Sequence, residues 1–183
     1  MTLFLVFVAL ISTLVIRSNI KKITEVWSPS LEYLQDLETM TAKYIIKQYQ
    51  HLVESDASDM TACEEEIRKL ESQIQDTDAN LDAIMSADSD AKKGQNDYEV
   101  ANAAWEKYRA ASDEILKLSR ENKQQEAAKL MTGEVYEEYK AFTEKLTILR
   151  DEFQVELDQA KTMANVCTII IFVVIVADRK SVV

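Results

Sequence analysis

Between Tyr98 and Ser119 the chain reads YEVANAAWEKYRAASDEILKLS. Tyr98, Ala101, Trp105, Tyr108, Ser112, Ile115 and Ser119 recur there at alternating steps of three and four. That repeat keeps one face of an α-helix turned toward neighbouring helices, and it does not suit a strand, whose side chains alternate every second residue. The same spacing appears on both sides. Upstream it runs through Cys63, Ile67, Leu70, Ile74, Thr77, Leu81 and Ile84; downstream through Val135, Tyr139, Phe142, Leu146, Leu149, Phe153, Glu156, Ala160 and Met163. A looser first seam joins Ile20, Ile23, Trp27, Leu34, Leu37, Thr41, Tyr44 and Gln48.

Four such segments predict an all-α fold, an antiparallel up-down-up-down four-helix bundle. Composition agrees. The 183 residues include only two Gly and one Pro, so the tight turns of a hairpin-rich β fold have almost nothing to be made from. Helix starts are expected at Thr61 with Glu64, Asn96 with Glu99, and Asn122 with Gln125, each a capping residue followed by a third-position partner. Residues 55–59 and 86–95 read as connections, and Ser28-Pro29 as a joint, either a fresh helix start or a kink.

Apolar runs lie at both ends: LFLVFVALISTLVI over residues 3–16 and VCTIIIFVVIVA over residues 166–177. A membrane-spanning helix needs about 20 apolar residues, so both runs read as membrane helices, the first cut short at its start. A signal peptide is the rival reading of the first run, but no basic segment precedes it and no small-x-small cleavage pattern precedes Arg17. The expected organisation is a membrane helix over 1–17, an extracytoplasmic sensor bundle over 18–162, and the start of a second membrane helix over 163–177. Residues 178–183, DRKSVV, back-translate as GATCGGAAGAGCGTCGTG, the start of a common sequencing adaptor, and are expected to be non-native read-through. The basic cluster Arg17, Lys21 and Lys22 lies on the bundle side of the first run. Charge bias would place that side in the cytoplasm. With both outer flanks missing no comparison can be made, so orientation is inferred from the architecture: an inner-membrane protein with its central module periplasmic or extracellular.

The net charge of −11 argues against nucleic acid, which selects basic surfaces. One histidine, two separated cysteines, no Gly-rich phosphate loop and no GxSxG leave an enzyme, a metal centre or a cofactor site without a residue set. His51 is expected on the solvent side, Trp27 at the membrane interface, Trp105 in the core and Glu64-Glu65-Glu66 on a solvated face.

WSPSLEYLQDLETM (residues 27–40) and EAAKLMTGEVYEEYKAFTEKLTILRDEF (residues 126–153) resemble the four-helix-bundle sensor domain of bacterial methyl-accepting chemotaxis proteins. The second stretch resembles the family's small-residue helix start, mid-helix glycine (Gly133) and spaced aromatic and leucine positions. What the resemblance implies is a homodimeric receptor for a small solute, with a HAMP relay and a cytoplasmic signalling coiled coil following the second membrane helix. Ligands in that family lie in the membrane-distal half, on the first and fourth helices. By antiparallel register, Tyr44, Lys47, Arg109 and Tyr139 are the expected ligand-binding set, suited to an organic acid or amino acid through charge-assisted hydrogen bonds. The competing assignment gives the same side chains to packing and to solvated faces. Glu64 and Arg68, four apart, are expected to pair on the surface. Two other functions stay open: the sensor region of a membrane histidine kinase or nucleotide cyclase, and a ligand-free membrane-anchored structural bundle.

Overall fold

The structure, a computed structural model, describes residues 2–180, with side chains over residues 4–177. The read-through expected over 178–183 lies outside the described side chains, and residues 181–183 lie outside the described residues. In chain order the elements are α1 (Thr2–Lys22), a π turn (Ile23–Trp27), α2 (Ser28–Val53), α3 (Ala57–Ala87), a 3-10 turn (Ala91–Gly94), α4 (Gln95–Arg120), α5 (Gln124–Thr132) and α6 (Glu134–Lys180). No strand occurs among the described residues. The chain divides into two compact units, Glu32–Asp151 and Met1–Leu31 together with Glu152–Val183.

Side-chain pairs give the topology of the larger unit. His51 meets Glu64, and Tyr44 meets Glu71, so α2 and α3 run antiparallel. Arg120 meets Glu64 while Tyr98 meets Asp78, which makes α3 and α4 antiparallel. Lys107 with Glu138 and Lys145 with Asp97 do the same for α4 and α6. Arg150 donates to Glu38 at 2.7 Å, closing α6 against α2. By contrast Tyr44 and Gln48 meet Ser112, and His51 meets Ser119, so α2 and α4 run parallel. Those directions define the expected up-down-up-down bundle. All seven seam residues of α4 are buried, and α2 buries Leu34, Leu37, Thr41, Tyr44 and Gln48 as the repeat requires.

Local details depart from expectation where backbone chemistry competes with pattern. The start of α3 is capped by Asp56, whose carboxylate accepts from the Ser58 N–H at 2.7 Å. Thr61 lies inside that helix, its hydroxyl turned back to the Ala57 carbonyl. The start of α4 is Gln95 rather than Asn96, because the 3-10 turn feeds straight into it. Asn122 is a helix stop. It holds φ 56°, its N–H bonds to the Ser119 carbonyl, and the next N–H, of Lys123, reaches the Leu118 carbonyl at 2.9 Å. This crossed pair closes α4 in the left-handed cap that asparagine tolerates. Gly133 separates α5 from α6 and is not mid-helix; a Cβ there would stand 3.0 Å from the Lys129 carbonyl oxygen.

In the smaller unit the joint at Ser28-Pro29 is a π turn. Pro29 has no N–H for the Glu25 carbonyl, and its ring would collide with that group in a regular helix. One wider turn relieves the collision, with the Ser28 N–H bonded to the Ile23 carbonyl, and helix continues on both sides. Trp27 is 1 % exposed and packs on Phe153 at 5.4 Å between ring centres, so it is a core residue and not an interfacial anchor. The final seam passes through Leu157, which is buried, instead of Glu156. At about 100° per residue the two paths are equally straight, so packing and not helical period selects Leu157. The apolar ends of α1 and α6 are long and apolar enough to cross a membrane, and only 6 % and 11 % of their most apolar windows are buried. Phe4, Leu14, Ile169 and Phe172 stand exposed, as lipid-facing residues do.

Candidate functional site

The polar residues of α2 build the site. Thr41, Tyr44, Gln48 and His51 recur at helical spacing and are all fully buried, a polar ladder where a plain bundle would carry leucine. Buried polar groups require partners: α3 and α4 supply them for Tyr44, Gln48 and His51, while Thr41 donates back to the Leu37 carbonyl at 2.7 Å.

Counting hydrogens orders the upper chain of bonds. The Glu71 carboxylate only accepts, so the single hydroxyl hydrogen of Tyr44 goes to it, at 2.9 Å. Ser112, 2.7 Å from the Tyr44 oxygen, then donates to that oxygen and accepts from the Gln48 amide at 2.5 Å. Tyr108 donates to the Gln48 carbonyl oxygen. A directional chain thus runs from the centre of the bundle to a carboxylate on α3. Burial pushes the Tyr44 and Tyr108 hydroxyls well above the ordinary tyrosine range, which keeps both of them neutral donors.

A second chain lies one turn further along. His51 Nδ1 stands 2.9 Å from Ser119 Oγ, and Nε2 stands 3.1 Å from Glu64 Oε1. Arg120 Nε reaches the same Glu64 oxygen at 2.5 Å. That hydrogen bond, opposed by burial and assisted by His51, holds the Glu64 carboxyl below its usual range. His51 is 0 % exposed, so the expectation of a solvent-facing ring is corrected. Its body is apolar enough to bury and both nitrogens find partners, so no water is needed. Glu64 likewise leaves the solvated face assigned to it and pairs with Arg120 and His51, not with Arg68.

Aromatic rings surround the first chain. Tyr108 lies between Trp105, stacked at 5.6 Å, and Tyr139, tilted at 5.7 Å, while Tyr44 sits edge-on to both Trp105 and Tyr108. Of the four expected ligand-binding residues, Tyr44 and Tyr139 therefore flank one ring. Tyr139 is half-buried and hydrogen-bonded to Thr41, and burial raises its hydroxyl above the ordinary range. Lys47 instead pairs with Glu66 of α3, and Arg109 pairs with Glu106 of its own helix at 2.6 Å. Lys47 lines a hollow of about 300 Å³ between α2 and α3 with Lys43, Ile46, Glu66 and Lys69. A larger groove of about 410 Å³ between α3 and α4 has Glu64, Arg68, Glu71, Asp113 and Arg120 on its walls. Both buried chains end at this groove. Sequence reasoning missed His51 and Gln48 as network members, although their three-and-four spacing from Tyr44 was a signal.

The four helix bundle sensory module for signal transduction, of the methyl-accepting chemotaxis type, matches residues 1–165. The chain belongs to this family. The match spans the bundle and the first apolar helix and ends just before the second apolar run. No curated protein matches the chain.

Proposed function

We propose that this sensory module is the extracytoplasmic part of a bacterial transmembrane chemoreceptor, taking a small solute and passing a helix displacement across the inner membrane. The observation that carries this reading is the continuity of α6. Its 47 residues form one helix from Glu134, through Tyr139, which meets Thr41 of the polar ladder, and the apolar segment to Lys180. A helix without a connecting loop is an element along which a small axial shift can pass. Homodimerisation is supported by an apolar stripe on α2, where Ile46, Tyr49 and Val53 are 53 %, 41 % and 84 % exposed.

The solute class supported by Tyr44, Lys47, Arg109 and Tyr139 is an organic acid or amino acid. Its carboxylate competes with Glu66 for Lys47 and with Glu106 for Arg109, and the neighbouring Lys43 and Lys69 favour an anion in the hollow beside Lys47. Such a ligand signals only if it binds two helix arrangements with different affinity. Titration calorimetry of the full chain in lipid nanodiscs against a panel of organic acids and amino acids tests this reading. Saturable binding lost in Lys47→Ala supports it; no binder, or binding unchanged in that variant, removes it. HAMP and signalling segments beyond residue 183 of the gene distinguish a chemoreceptor from a kinase, a cyclase or a tether.

A further inference from the structure

The hydrogens around His51 do not balance for a neutral ring. Ser119 Oγ has one hydrogen and two neighbours able to accept it, the His51 carbonyl oxygen at 3.0 Å and His51 Nδ1 at 2.9 Å. That carbonyl needs a donor. It lies in the last turn of α2, where the next intrahelical donor, the Ser55 N–H, has turned to the Glu54 carboxylate at 3.1 Å. If Ser119 donates to the carbonyl, it can only accept from Nδ1, which must then carry hydrogen. Across the ring, Nε2 faces Glu64, a carboxylate held ionised by Arg120, which can only accept. Nε2 must carry hydrogen as well. All three contacts are satisfied together only when both ring nitrogens are donors, that is, when the ring is an imidazolium.

From this we infer that His51 is a proton-binding site, and that its proton ties the end of α2 to Glu64 of α3 and Ser119 of α4. Proton loss leaves Nε2–H on Glu64, because the carboxylate offers no hydrogen of its own. Nδ1 becomes an acceptor and takes the Ser119 hydroxyl, and the His51 carbonyl is left without its cap. The bound proton therefore closes one further bond at the end of α2 than the neutral ring does. The charged groups that face or adjoin the ring are Glu64 from α3, Arg120 from α4 through Glu64, and Lys47 on α2, the last neutralised by Glu66. Among the described residues, α5 and α6 place no ion pair or hydrogen bond on the ring. A buried single-proton site in a module exposed to the medium makes external pH an input to the receptor. This last step rests on the proposed sensory role; the protonation chemistry does not.

His51 is the only histidine in the chain, so one label reports it alone. The full chain, labelled with ¹³C,¹⁵N-histidine and held in lipid nanodiscs, is followed by NMR at pH 5.5 and pH 8.5, with circular dichroism confirming that it stays folded. At pH 5.5 both ring nitrogens are expected to carry hydrogen. At pH 8.5 Nδ1 is expected to be bare and Nε2 still protonated, with the His51 carbonyl carbon shifting as Ser119 leaves it. In Ser119→Ala that carbonyl shift is expected to vanish. A neutral ring carrying its hydrogen on Nδ1, the same protonation at both pH values, or a carbonyl shift retained in Ser119→Ala overturns the inference. Each of those results leaves the solute-binding reading intact, since that reading is tested by calorimetry at constant pH.

Discussion

The hydroxyls of Tyr44 and Ser112 meet at 2.7 Å in the middle of the bundle, although 68 residues separate them in the chain. Each is fully buried, and neither could be kept there alone. Their bond joins the first helix of the bundle to the third and fixes the relative height of the two. Removing the Tyr44 hydroxyl leaves the Ser112 hydrogen without its acceptor and Glu71 without its donor. Tyr44→Phe is therefore expected to cost about 1–3 kcal/mol, the usual range for orphaning a buried partner. Tyr44→Phe combined with Ser112→Ala should cost clearly less than the two single changes added together. Thermal denaturation followed by circular dichroism measures all three, and full additivity would show that the bond is not coupled.

Glu64 predicts an acid dependence. The Arg120 hydrogen bond lowers its carboxyl in the folded state, so Glu64 stabilises the fold above the carboxylate range of the unfolded chain. That contribution is lost as pH falls through the folded value. Melting temperature between pH 7 and pH 3 should therefore drop more steeply in the native chain than in Glu64→Gln.

Asn122 sits at φ 56°, where a residue with a Cβ is strained and glycine is not. Asn122→Gly should be neutral or stabilising by up to about 1 kcal/mol, since it relieves that strain while enlarging the unfolded ensemble. Asn122→Val should destabilise by at least about 1 kcal/mol. Denaturant midpoints of the two variants decide this; equal midpoints would mean that the left-handed cap does not form.

The lower seam of α6 separates two neighbours. Leu157 is 6 % exposed, whereas Glu156 is only partly covered. Leu157→Ala should cost about 2–5 kcal/mol by opening a cavity. Glu156→Ala should change stability by less than about 0.5 kcal/mol. The reverse order in a melting experiment would restore the seam through Glu156.

Hydrophobic spacing was enough to read the helical class, the number of bundle helices and the parallel relation of the α2 and α4 faces, because period and length are properties of the chain alone. Every seam position from Tyr98 to Ser119 is buried in the structure for that reason. Helix ends were less legible. Asp56 outcompeted Thr61 as a cap and Asn122 closed a helix rather than opening one, since several residues in each connection can cap and backbone closure chooses among them. The site was least legible of all. Whether Lys47 meets Glu66 or Tyr139, and whether His51 faces water or Ser119, depends on how helices distant in sequence are rotated against one another. No period encodes a rotation. Amino-acid order dictated which faces turn inward, and only packing decided which polar groups meet there, because a buried hydrogen bond needs both partners placed to within a few tenths of an ångström.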